Sequence, residues 1–135
     1  MGVKKTLKKI WNKISSSDRI LVTGGLGYIG SHTVVELMEA GYDVYIIDNL
    51  SNSNIDVLNG IEAITGKRPV FENIDCTDYV AMDKFFSKYE GFKAVIHFAA
   101  YKAVGESVSK PLRYYRNNIL SLVNLLELMP IHKTH

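Results

Sequence analysis

A doubly wound parallel α/β sheet of strand order 3-2-1-4 is the fold class that this sequence predicts. Three observations carry it. Short apolar runs alternate along the chain with segments of helical periodicity. The connections between them are short, which lays each crossover helix on a face of a parallel sheet. The first run, Ile20 to Thr23, enters a glycine cluster that opens the first helix, and a switch point beside that strand sets the order.

In the first unit, Gly24, Gly27 and Gly30 are spaced Gly-x-x-Gly-x-x-Gly between strand and helix. The first glycine lets the backbone leave the strand sharply. The second removes a side chain where a pyrophosphate would approach, and the third lets the helix pack close. The N–H groups of a helix start, at its positive dipole end, suit phosphate. A helix is predicted over 28–40 on the pattern Ile29, Val34, Val35, Leu37 and Met38, with Gly41 stopping it. The second strand, 43–48, ends in Asp48, about 20 residues past the glycines, where an acid can bind a ribose diol. The alternative is a glycine-rich turn that binds nothing.

The polar loop Asn49 to Asn54 leads to a helix over 55–65, with Ile55, Leu58, Ile61 and Ile64 on one face and Gly66 at its end. Pro69 to Ile74 is the third strand, ending at Asp75. Thr77 or Asp78 can cap a helix over 79–89 with Val80, Met82, Phe85 and Phe86 inward. Ala94 to Phe98 reads as a strand buried on both faces. A loop follows to about residue 110, and Pro111 opens a long helix to Met129, ended by Pro130.

The 135 residues divide into a leader, 1–18, and one domain, 19–135. The net charge of +2 hides an asymmetry: residues 1–19 carry +5 and the remainder −3, so the body is not a nucleic-acid binder. In the leader, Val3, Leu7, Ile10, Trp11 and Ile14 fall at helical spacing opposite lysines, and Ser15 to Ser17 follow as a linker. That basic amphipathic helix suits a membrane surface or a docking partner. It equally suits packing on the domain itself, or is an appended segment. One cysteine, Cys76, excludes a disulfide framework and points to a reducing, cytoplasmic compartment. No spacing suggests zinc, and no run suggests a signal peptide or a membrane span.

The stretch Thr23-Gly24-Gly25-Leu26-Gly27-Tyr28-Ile29-Gly30-Ser31-His32-Thr33 resembles the opening of extended short-chain dehydrogenase/reductases. Three further stretches resemble, more narrowly, the UDP-glucose 4-epimerase family: Asp48 to Ser53, His97 to Ser107, and Pro111 to Asn118. The resemblance covers residues 19 to about 130 and implies a Rossmann-like domain holding NAD. By position, it implies that Tyr28 and Ile29 offer N–H groups to the pyrophosphate. Asp48 and Asn49, with Asn52 and Ser53, would bind the adenosine ribose, and Asp75 and Cys76 would flank the adenine. Phe98, Ala99 and Ala100 would line the cofactor, Lys102 would reach its ribose or phosphates, and Asn117 would sit near the nicotinamide. Ala100 departs from the glycine common in the family.

Plainer roles stand beside these. Asp75 and Asp78 can cap a helix, Cys76 can be an inert thiol, and His32 and His97 can be structural. Tyr114 and Tyr115 can be packing residues. Lys102, in a loop at the carboxyl end of a central strand, lies where ligands bind. The resemblance implies interconversion of UDP-glucose and UDP-galactose through a transient 4-keto sugar, with a Tyr-x-x-x-Lys pair beyond a fifth strand. The chain stops at His135, before that strand, so a truncated cofactor-binding portion with no catalytic residue and no metal is expected. UDP-sugar would then bind only in a longer parent. Tyr89 and Lys93 have the right spacing but lie opposite the ligand crevice, and are read as chance. Alternatives are a dinucleotide-binding or assembly module, or part of another NAD-dependent dehydratase or reductase. An unpaired fourth strand predicts self-association.

Overall fold

In the computed structural model the described residues are 18–134; the predicted leader helix lies outside them. The elements run β1 (Arg19–Thr23), α1 (Tyr28–Glu39), β2 (Asp43–Asp48), α2 (Val57–Thr65), β3 (Val70–Asn73), α3 (Tyr79–Lys88), β4 (Phe92–His97), α4 (Val104–Ser109) and α5 (Pro111–Ile131). The four strands form one parallel sheet in the order β3-β2-β1-β4, the predicted Rossmann-like winding.

Both sheet faces are covered, and the period-2 geometry of a strand sorts the side chains between them. Ile20, Val22, Val44 and Ile46 pack with Val34 of α1 and with Leu58 and Ile61 of α2. Leu21, Tyr45 and Ile47 face the other way, onto Met82, Phe85 and Phe86 of α3 and Leu125 and Leu128 of α5. Register places Ile20 beside Val44 and Ala94, and Thr23 beside Ile47 and His97, so the strand ends align into one rim.

Several local expectations are corrected. β4 begins at Phe92, two residues early, because Phe92 pairs with Arg19 and buries its ring in the core. From Ala94 onward it is only half-buried, since it is the sheet's edge. Residues 104–109, expected as loop, form α4; with Gly105, Ser107 and Ser109 it has poor intrinsic propensity. It is instead tied to α5, where Arg113 and Tyr114 donate to Glu106. α5 runs through Pro130 to Ile131: a proline in the last turn removes only the donor to the carbonyl of Leu126, an exposed residue that water can serve. Ile55, Ile64 and Val80, expected inward, are exposed; Leu58, Ile61, Met82, Phe85 and Phe86 are buried. No helix of the described residues is long and apolar enough to cross a membrane.

Candidate functional site

The glycine turn is built by backbone contact. Gly24 has φ of +67°, and a Cβ there would lie 2.7 Å from the Ala99 nitrogen, so the turn after β1 presses on the chain leaving β4. A Cβ on Gly30 would come 2.1 Å from the Gly24 carbonyl oxygen, which is why α1 can start directly against the turn. Gly25 also packs closely, but chiefly against the Ile46 side chain rather than backbone, a contact that the three-glycine spacing did not reveal. No side chain caps α1. The first N–H groups of that helix, at Tyr28, Ile29 and Gly30, are therefore left for an outside acceptor at the positive end of the dipole.

These groups open into a cleft of about 380 Å³ at the carboxyl ends of the strands. Gly24, Gly27, Tyr28, Ile29 and Gly30 form one wall; Asp48, Asn49, Asn52 and Ser53 form the second. Asp75 and Cys76 close the end beyond β3, while Phe98, Ala99, Ala100, Lys102 and Asn117 line the side beyond β4. Every position that the sequence assigned to the cofactor thus lines this one cleft.

Asp48 is the best-determined member. Its buried carboxylate accepts from the Leu26 N–H at 3.1 Å, the Leu50 N–H at 2.9 Å and the Ser53 hydroxyl at 2.7 Å. Three of roughly four acceptor directions are filled, and the residue still lines the cleft. Asn49 turns its side-chain oxygen onto the Ser51 N–H, which shapes the loop. Asp75 does the same for Thr77 through one oxygen, and Asp78 caps α3 by accepting from Ala81. Cys76 is nearly buried, and its thiol is pushed up to about 12 by burial, then by Asp75 and Asp48, so it is inert at neutral pH. Lys102 is exposed at the rim, its ammonium 5.9 Å from the Phe98 ring centre.

Tyr101 also lines the cleft, as do Ser51, Ile74, Ala103 and Ser121, which had not been singled out. Asn118 was missed too: it accepts from the Tyr101 N–H at 2.8 Å and donates to the Tyr101 carbonyl at 3.0 Å, fixing that loop to α5. A signal existed. Asn117, Asn118, Ser121 and Asn124 put amides and a hydroxyl at helical spacing within an otherwise apolar stretch, and Ser121 and Asn124 are buried. His32 holds the Tyr28 carbonyl outside the cleft, while His97 lies beneath it, lowered by burial. Tyr114 is buried against Glu106 and Tyr115 is exposed. Tyr89 points away from the cleft and donates to Glu72 at 2.9 Å. Among the described residues no group of side chains could hold a metal ion.

A doubly wound parallel sheet with an uncapped helix after Gly-x-x-Gly-x-x-Gly and an acid ending β2 defines a Rossmann-like domain of the short-chain dehydrogenase/reductase type. Residues 21–135 match the family model described as GDP-mannose 4,6 dehydratase, and the chain belongs to that family. Its similarity is more specific than that description. A UDP-glucose 4-epimerase of Schizosaccharomyces pombe is 56% identical over 110 residues, covering 82% of this chain and 31% of the relative. The human UDP-glucose 4-epimerase is 50% identical over 122 residues, covering 86% of this chain and 35% of the relative. Among solved structures, the UDP-glucose-4-epimerase of Stenotrophomonas maltophila, with bound NAD and formylated UDP-arabinopyranose, superposes with a TM-score of 0.83 at 43% identity. That match covers 87% of this chain and 35% of the other. The chain therefore spans about a third of the length of the curated relatives it matches.

Proposed function

We propose that residues 19–135 are the NAD-binding portion of a UDP-glucose 4-epimerase-like enzyme. One observation carries the reading: the uncapped N–H groups of α1 and the triply held carboxylate of Asp48 line one cleft, a pairing that suits a dinucleotide's pyrophosphate and ribose. When bound, NAD supplies a hydride acceptor. The protein's part is to hold the pyrophosphate on the α1 amides, to grip the ribose diol through the remaining acceptor direction of Asp48, and to neutralise charge with Lys102. A 2′-phosphate would meet the Asp48 carboxylate, and no arginine lies between Asp48 and Asn54, so NAD should bind at least tenfold tighter than NADP. Calorimetric titration with both cofactors tests this, and equal or tighter NADP binding refutes it.

The 135 residues are proposed not to interconvert UDP-glucose and UDP-galactose by themselves. Tyr101, which lines the cleft, lacks a lysine four residues on to assist it as a base. General-base help is worth about 10²–10⁴ in rate. Turnover of UDP-galactose with NAD well above a protein-free control, surviving Tyr89→Phe, would overturn this.

Association is a second proposal, favoured by a specific surface. Leu112, Tyr115, Ile119, Val123 and Leu126 form an exposed apolar stripe on α5, and β4 is an open edge of the described sheet. Light scattering should show a dimer or larger species; a monomer that persists after removal of residues 1–17 excludes it.

A further inference from the structure

We propose that His97 couples the glycine-turn wall of the cleft to its side beyond β4, on α5, so that proton uptake by its ring loosens the bound dinucleotide; the inference rests on the NAD reading above. The ring ends β4 directly behind the cleft. Its Nδ1 lies 2.6 Å from the Thr23 hydroxyl oxygen, and its Nε2 lies 3.5 Å from the Ser121 hydroxyl oxygen. On one side, Thr23 ends β1 and accepts the Ala99 N–H at 3.3 Å, in the segment that presses on Gly24. On the other, Ser121 donates to the Asn118 carbonyl at 3.3 Å, and Asn118 clamps Tyr101. Ala99, Tyr101 and Ser121 all line the cleft. One imidazole therefore joins the glycine-turn wall to the α5 wall.

The donors and acceptors settle how the proton is placed. Thr23 is fully buried and its hydroxyl has one proton to give. Among the described residues, His97 Nδ1 is its only acceptor. Nδ1 is then the acceptor, Nε2 carries the hydrogen toward Ser121, and the Ser121 proton goes to Asn118. Every group is matched only while the ring is neutral. A second ring proton would sit on Nδ1, facing Thr23, and would turn the Thr23 hydrogen toward surroundings that offer no other acceptor. The grip on Ala99 then weakens, and the cleft wall with it. Burial acts in the same direction, holding the ring below its ordinary value. The groups facing the ring are neutral: Thr23 from β1 and Ser121 from α5. The charged groups of the cleft, Asp48, Asp75 and Lys102, make no hydrogen bond to it.

The test uses the full 135-residue chain, with NAD titrated by calorimetry from pH 8 to pH 5 and circular dichroism to confirm folding at each pH. Binding at pH 8 tests the cofactor reading alone. The wild type should then lose about tenfold in affinity on acidification, the size expected for one stranded buried hydroxyl, in a window where carboxylates near 4 do not titrate. His97→Asn, which can accept from Thr23 but cannot charge, should bind within threefold of wild type at pH 8 and show a flat profile. His97→Phe should bind weakly at every pH, and the exposed His32→Gln should keep the wild-type fall. An acid fall that persists in His97→Asn, or vanishes in His32→Gln, overturns the proposal. Nitrogen-15 imidazole spectra give a reading that needs no cofactor. They should show a neutral His97 with hydrogen on Nε2 at pH 7, and an Nδ1–H tautomer or a charged ring there would overturn it.

Discussion

The two ends of the sheet treat their polar groups in opposite ways. At the amino end the groups satisfy one another. Arg19 donates to the Glu90 carbonyl at 2.7 Å, lies over the Tyr45 ring and pairs with Asp43, which Lys67 also reaches. Nearby, Tyr45, Phe85, Tyr89 and Phe92 stack edge to face and ring on ring. At the carboxyl end, α1 starts without a cap, Asp48 keeps an acceptor direction, and the loops are braced from behind by Thr23, His97 and Asn118. One end is closed by internal contacts; the other is rigid yet leaves donors and acceptors for something else. That difference, rather than any single residue, supports the proposed cofactor site at the carboxyl end.

Two substitutions should separate the ends most sharply. Phe92→Ala empties a fully buried site packed on the rings of Tyr45, Phe85 and Phe86, and should cost about 3–5 kcal/mol in urea unfolding. Any variant that remains folded should bind NAD as the wild type does. Gly30→Ala should do the reverse. Its Cβ would strike the Gly24 carbonyl, a backbone group that cannot swing aside, so stability should fall by about 1–3 kcal/mol while NAD binding drops out of calorimetric range. A folded Gly30→Ala protein with unchanged affinity would break the comparison.

How far these ends could be read in advance follows from the physics that each uses. Strand order, the glycine turn and Asp48 were legible because each depends on local chain geometry: a period, a spacing, an acid at a strand end. Where contacts from distant segments decide, the reading failed. α4 has poor propensity of its own and is held by bonds from Arg113 and Tyr114 on the next helix to Glu106, seven and eight residues apart. Ile55, Ile64 and Val80 follow the helical period, yet they lie outside the arc that the sheet covers. The bracing layer of Asn118, Ser121 and His97 sits on three-dimensional neighbours 17 to 24 residues apart, beyond any local pattern.

Asp48 offers the next, intermediate test. Asp48→Ala removes a carboxylate with three internal donors, and hydrogen bonds to a charged group are worth about 1.5–3 kcal/mol. NAD affinity should fall by about 10–100-fold and the margin over NADP should shrink. Asp48→Asn keeps the shape and loses the charge, so it should narrow the NADP margin more than it weakens NAD. If both variants leave the margin intact, the discrimination lies elsewhere in the cleft.

The smallest effect belongs to the outer strand β3, at Glu72, which pairs in register with Ile47 but lies outside the cleft. Its carboxyl is held below the ordinary 4.5, first by the hydrogen bond from the Lys88 ammonium and also by the Tyr89 hydroxyl, against the opposing pull of burial. A carboxyl lowered by folding binds fewer protons in the folded chain than in the unfolded one. Its contribution is therefore fully present above the unfolded value and is lost as pH falls through the folded value. Tyr89→Phe removes one neutral donor and should cost about 0.5–1 kcal/mol at pH 7. Glu72→Gln should flatten the acid limb of the stability curve below pH 4.5 relative to wild type, because its side chain has no proton to take up. NAD affinity should stay within twofold in both variants, since neither residue lines the cleft. A larger change in either would mean that the aromatic end and the cleft are mechanically coupled through the sheet, and that the division between a closed end and an open one is wrong.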